Sequence, residues 1–176
     1  MSQVTGSAPP KQPRGIARCS HRGEATAGRR RARVVSAPPR RYIAAPMGAP
    51  VFEISKDFVF SAAHQIRMHG GKCERLHGHN WRVRVHARAS ALNRIGMVVD
   101  FADLQRIVAE ICSRFDHRNV NEVEPFDQVN TTAENLARFF FEEASRALEA
   151  AEAGRVRVSR VEVWENEGSL AVYREE

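Results

Sequence analysis

From Asn80 to Ala89 the chain alternates without a break. Trp81, Val83, Val85 and Ala87 are apolar, and Arg82, Arg84, His86 and Arg88 between them are polar. Successive side chains on a strand point to opposite faces, so this segment is predicted to be a half-buried strand with one dry face. A dry face needs a cover, and two later segments can supply it. Asp100 is a good helix N-cap with Asp103 in the first turn, and Phe101, Leu104, Val108, Ile111 and Phe115 then recur at helical spacing. Thr131-x-x-Glu134 matches a capping box opening a second helix to about Ala150, with Leu136, Phe140, Ala144 and Ala147 as its core stripe and Gly154 as its stop. Val51–Phe60, Val156–Trp164 and Leu170–Tyr173 read as further strands. The inward parity of the third strand shifts between Val158 and Val161, which predicts a bulge near Ser159-Arg160. The order β-β-α-α-β-β makes an α+β fold, a four-stranded antiparallel sheet with two helices on one face.

The total charge of +6 invites a nucleic-acid reading. Its distribution argues against one. Residues 1–50 hold ten basic residues against one acid, Glu24, together with seven of the eight prolines. Residues 51–176 carry 17 basic and 20 acidic residues, so the folding part is net acidic. Residues 1–46 show no helical or strand period and include the run Arg29-Arg30-Arg31-Ala32-Arg33. They are expected to be a disordered basic tail, since such a stretch buries too little apolar surface to offset its ordering entropy. A nucleic-acid arm, a transit-type presequence and a functionless extension ahead of a start at Met47 all fit it. The domain is expected to span residues 47–176. No apolar run reaches the roughly 18 residues of a membrane-spanning helix, so no membrane partner is expected. Three cysteines do not suggest a disulfide scaffold, and a cytoplasmic location is the expectation.

The chemistry-bearing residues lie in the domain. His77-Gly78-His79 begins the alternating strand, and residues i and i+2 of a strand share a face, so both imidazoles can aim at one point. A hairpin would bring His64, at the end of the preceding strand, beside them. Three imidazoles and an open position suit catalytic Zn²⁺, though loop-end histidines without a metal fit the same pattern. Cys73, between the candidate ligands, has two possible roles: a fourth ligand closing a structural zinc site, or a free thiol activated by a nearby cation. Asp116-His117 follows the first helix and could orient a general acid or base. Glu165 shares the parity of Val161 and Val163, so its carboxylate points to an apolar side and needs partners, for instance two parallel N–H donors of a ligand.

Taken together these residues resemble a known family. Phe60-Ser61-Ala62-Ala63-His64 and Cys73-Glu74-Arg75-Leu76-His77-Gly78-His79-Asn80 are similar to the motifs of the 6-pyruvoyl-tetrahydropterin synthase and 6-carboxy-tetrahydropterin synthase family. Val99-Asp100-Phe101, Asp116-His117-Arg118-Asn119, Thr132-Ala133-Glu134-Asn135-Leu136 and Val163-Trp164-Glu165 follow in the family's order, and the likeness covers about 51–176. The Cys-x₃-His-Gly-His spacing is similar to the carboxy-forming branch of queuosine biosynthesis, because pyruvoyl-forming members usually place five residues between the Cys and the His. The resemblance implies a T-fold subunit whose sheets associate into an oligomeric barrel, with a hexamer expected. It implies an enzyme acting on 7,8-dihydroneopterin triphosphate, with zinc on His64, His77 and His79. Cys73 would be the proton-abstracting thiolate, assisted by Asp116 and His117. Glu165 would anchor the pterin, and Thr132 and Glu134 would line its pocket. The departure Asn166-Glu167-Gly168, where relatives often carry Thr-Pro, affects only local loop contacts. A pyruvoyl-forming synthase and a nonenzymatic zinc module remain alternatives.

Overall fold

The computed structural model of the chain describes residues 48 and 50–176. The basic segment 1–46, and the readings attached to it, lie outside the described residues. The elements are β1 (Phe52–His64), β2 (His77–Ala89), α1 (Phe101–Ser113), β3 (Arg118–Asn119), α2 (Ala133–Glu152), β4 (Arg157–Asn166) and β5 (Ser169–Tyr173). They form one sheet in the order β3-β1-β2-β4-β5, covered on one face by the two helices.

The long hairpin comes first, with β1 and β2 paired from Phe52↔Ala89 through His64↔His77. β4 lies antiparallel on the other side of β2, and β5 outside β4. The expected bulge is present: His86 opposes Arg160 while Ala87 opposes Val158, which leaves Ser159 as the extra residue. The expected sheet of four strands gains a fifth. β3 pairs in parallel with Ala62 and Ala63 of β1. Two residues are too few to leave any period in the polar stretch 116–129, so the sequence shows only a loop there.

The alternation of β2 becomes burial. Trp81, Val83, Val85 and Ala87 are fully enclosed under the helices, whereas Arg82 and Arg84 are only partly covered on the opposite face. His86 departs from this pattern. It lies on the polar face and is nevertheless buried, with Nδ1 3.4 Å from Glu53 and Nε2 3.2 Å from Glu162. The core is aromatic where the sheet meets the helices. Phe60 packs on Phe115 and Phe140 with ring centroids 5.9 Å away in each case, and on Trp81 at 6.3 Å.

Asp100 caps α1 as expected, its carboxylate accepting from Ala102 N at 2.7 Å. Phe101, placed in the apolar stripe by its spacing, is half exposed instead; Leu104, Ile107, Val108, Ile111 and Cys112 form the buried face. The first turn of a helix has no preceding turn to pack beside, so a first residue can escape the stripe. α2 also starts one residue later than the capping box predicts. Thr132 is the N-cap and accepts from Asn135 N at 3.3 Å, while Thr131 is fully buried and bonded elsewhere. α2 ends through left-handed backbone at Ala153 (φ 49°) and Gly154 (φ 77°), a geometry that favours glycine.

Candidate metal centre and active site

Strand pairing builds the site. His64 closes β1 and His77 opens β2, and the two are register partners, so the hairpin places them face to face at the end of the sheet. His79, two residues further along β2, points to the same side. The ring centroids are 4.6 Å apart for His64 and His77, 4.9 Å for His77 and His79, and 5.3 Å for His64 and His79. Glu165, near the end of β4, completes the group. One ligand atom from each of His64, His77, His79 and Glu165 lies within 4.8 Å of all the others. Trp81 forms the floor, its ring edge-on to His64 at 4.9 Å and to His79 at 5.5 Å.

The protonation of the rings follows from their hydrogen bonds. His64 Nδ1 donates to the Thr131 carbonyl at 2.9 Å, and His77 Nδ1 donates to the Arg75 carbonyl at 2.7 Å. With Nδ1–H so fixed, Nε2 of each ring keeps its lone pair, the arrangement in which histidine binds a metal. Burial holds both His64 and His79 below the ordinary histidine range, in favour of the neutral form. Nε2 of His64 and of His79 are buried with no hydrogen-bond partner, and the Glu165 carboxylate 3.3 Å from His79 Nε2 is not aligned to bond it. A buried polar atom left unsatisfied costs about 1–3 kcal/mol. Two such atoms converging with a third imidazole and a carboxylate suit a divalent cation, and Zn²⁺ fits an imidazole-rich donor set.

The other expected site residues fall around this centre. Cys73 sits half-buried on a single 3-10 turn, Lys72–Glu74, and is not part of the four-residue ligand group. Its carbonyl accepts from Ile66 N at 2.8 Å, which folds the loop between β1 and β2 back on itself. Asp116 and His117 contact each other at 3.0 Å beside the outer edge of β1. The Ser61 peptide N–H, donating at 2.9 Å, and the neighbouring His117 hold the Asp116 carboxyl below the usual range. His117 has left-handed backbone (φ 57°) and a side chain 81% exposed. With Ser61, Gly78, Asn80 and Arg118 it lines an open cleft of about 550 Å³ that also reaches His79. Thr132 is occupied as the α2 cap, and Glu134 is exposed on the first turn of that helix. The sequence reading missed the carbonyls of Thr131 and Arg75 that orient the imidazoles. Backbone groups leave no signature in residue identity.

Comparison with known proteins places the fold in a known family. Residues 53–176 match the family described as 6-pyruvoyl tetrahydropterin synthase. The chain is 35% identical over 125 residues to 6-carboxy-5,6,7,8-tetrahydropterin synthase of Synechocystis, covering 68% of this chain and 91% of that one. It is 30% identical over 152 residues to the Haemophilus influenzae protein of the same name, covering 71% of this chain and all of the other. Among solved structures, Caenorhabditis elegans 6-pyruvoyl tetrahydropterin synthase superposes with a TM-score of 0.64 at 26% identity, over 72% of this chain and 97% of that one. The His-lined end of the sheet thus sits in a fold shared with pterin synthases, and the chain belongs to the 6-pyruvoyl tetrahydropterin synthase family.

Proposed function

We propose that this chain is a zinc-dependent 6-carboxy-5,6,7,8-tetrahydropterin synthase. It would convert 7,8-dihydroneopterin triphosphate to the 6-carboxy product with release of acetaldehyde and triphosphate, in the cytoplasmic synthesis of queuosine. The observation that carries the reading is the convergence of His64, His77 and His79, with two buried and unpartnered Nε2 atoms, in a chain whose relatives include synthases of that name. The Cys-x₃-His-Gly-His spacing favours the carboxy-forming branch.

His64, His77 and His79 would hold the zinc, which supplies Lewis acidity to the oxygens of the substrate side chain. The Cys73 thiolate would abstract a proton from that side chain, since its place outside the ligand group leaves the sulfur free. This also speaks against the nonenzymatic zinc module, which needs Cys73 as a ligand. The Glu165 carboxylate would accept two N–H bonds from the amino-pyrimidine edge of the pterin, with Thr132 and Glu134 near its rim. The Asp116–His117 pair would hold and return a proton. Proton transfer by one well-placed group is worth about 10²–10⁴-fold in rate.

Residues 47–176 would form the catalytic domain, and the chain would act as a homo-oligomer. β3 covers only Ala62 and Ala63 on the outer edge of β1, β5 is the other edge of the sheet, and Val59, Leu170 and Val172 are exposed near these edges. Open edges with apolar side chains favour pairing with further copies. The test is to incubate the purified chain with dihydroneopterin triphosphate and identify the pterin and any acetaldehyde. 6-Carboxy-tetrahydropterin with stoichiometric acetaldehyde supports the reading. A 6-pyruvoyl product would move the chain to the other branch, and absence of any turnover would refute the enzyme.

A further inference from the structure

β1 ends at His64, yet the residues that follow remain tethered as though a strand still ran beside them. The Asn121 side chain accepts from Gln65 N at 2.8 Å and donates to the Gln65 carbonyl at 2.9 Å. Asn130 makes the same pair of bonds to Arg67, at 2.8 and 2.9 Å. Each amide thus imitates the peptide group of a neighbouring strand. The Arg67 guanidinium in turn donates to the carbonyls of Phe126, Asp127 and Val129, which fastens the far end of the same loop.

Thr131 stands where this ladder meets the metal centre. Its carbonyl accepts from His64 Nδ1 at 2.9 Å, and its hydroxyl donates to the Gln65 carbonyl at 2.9 Å. It therefore grips two consecutive residues, the candidate ligand and its neighbour, and it is fully buried. The threonine does not cap α2, a task that falls to Thr132. The Gln65 carbonyl uses both lone pairs, one for Asn121 and one for Thr131.

We propose that Thr131 is the positioning residue of the metal site, acting through His64; the inference rests on the zinc reading of the histidine group. The carbonyl bond selects the Nδ1–H tautomer and sets the rotation of the ring, so that Nε2 faces His77 and His79. The hydroxyl bond prevents the Thr131 peptide from turning away from the end of β1. Without it the carbonyl loses its fixed place relative to His64, and the ring loses its aim. Groups that orient a metal-binding histidine are typically worth about 10–100-fold in metal affinity.

The experiment compares the full-length wild type with Thr131→Val, which keeps the branched shape and removes the hydroxyl, and Thr131→Ser, which restores it. Zinc affinity is measured by competition with a chromophoric chelator, the site geometry by the visible spectrum of the Co²⁺-substituted chain, and stability by melting temperature. Thr131→Val is expected to bind zinc about 10–100-fold more weakly with an altered Co²⁺ spectrum, and Thr131→Ser to return both to the wild-type values. A merely structural threonine would shift the melting temperature alone. Wild-type zinc affinity and Co²⁺ spectrum in Thr131→Val would therefore overturn the proposal. If Thr131→Val does not fold, Thr131→Ala removes the same hydroxyl with a smaller side chain, and wild-type zinc affinity and Co²⁺ spectrum in that variant overturn it equally. His64→Ala separates the two levels of the argument. Full zinc retention in that variant defeats the zinc reading itself. Zinc loss in His64→Ala beside normal binding in Thr131→Val defeats only the positioning role.

Discussion

Cys73→Ala distinguishes a catalytic thiol from a structural ligand in one protein. Cys73 lies on a 3-10 turn with no buried residue, outside both the core and the group formed by His64, His77, His79 and Glu165. Its carbonyl, which the substitution retains, makes the 2.8 Å bond to Ile66 N. The change therefore removes one sulfur atom from a half-buried position. Substitutions away from the core and from key bonds usually stay within about 0.5 kcal/mol, so the melting temperature should move by no more than about 1–2 °C in a chain of this size. Zinc content should remain one ion per chain. Turnover should fall by about 10²–10⁴-fold, the usual scale for a lost general base, which at about 1.36 kcal/mol per decade is roughly 2.7–5.4 kcal/mol of barrier. The assay is zinc by atomic absorption, melting temperature and pterin formation on the same preparation. Loss of zinc together with a drop of many degrees would show a closed four-ligand site and refute the reasoning. Full turnover without the sulfur would remove Cys73 from the chemistry.

Three further outcomes are expected. Phe140→Ala empties a fully buried site in contact with Phe60, Phe115 and Phe139; it should lower stability by about 3–5 kcal/mol, and urea unfolding with a loss under 1 kcal/mol would contradict the packing described. Asp57 is held below the usual carboxyl range chiefly by its hydrogen bond from Arg84, so this contribution is present at neutral pH and is lost as pH falls through the folded-state value, below the ordinary Asp pKa of about 3.9. Asp57→Asn should therefore be less stable than wild type at pH 7, with the gap closing below about pH 4; a gap that stays constant across that window would count against the pair. A chain beginning at Met47 should fold and turn over like the full length, and loss of either would assign a role to residues 1–46.

Much of the architecture was legible because it rests on local patterns. The alternation at Trp81, Val83 and Val85 marks a sheet with one covered face, and the spacing of Leu136, Phe140 and Ala144 marks a helix that covers it. The parity change between Val158 and Val161 places the bulge near Ser159-Arg160, and the strand register then singles out Ser159. The three histidines were also legible, since His77-Gly78-His79 shares a strand face and His64 ends the paired strand. What the sequence could not contain was decided by contacts between distant segments. In isolation Thr131, with Glu134 three residues on, is the better cap; only the arrival of Gln65 and His64 beside Thr131 draws its hydroxyl and carbonyl away and moves the cap one residue on. The parallel pairing of Arg118 and Asn119 with β1 is too short to leave a period, and exists because the loop after α1 is brought to that edge. The orientation of His64 and His77 depends on peptide carbonyls, which every residue carries alike, so the fold alone could determine which two are used.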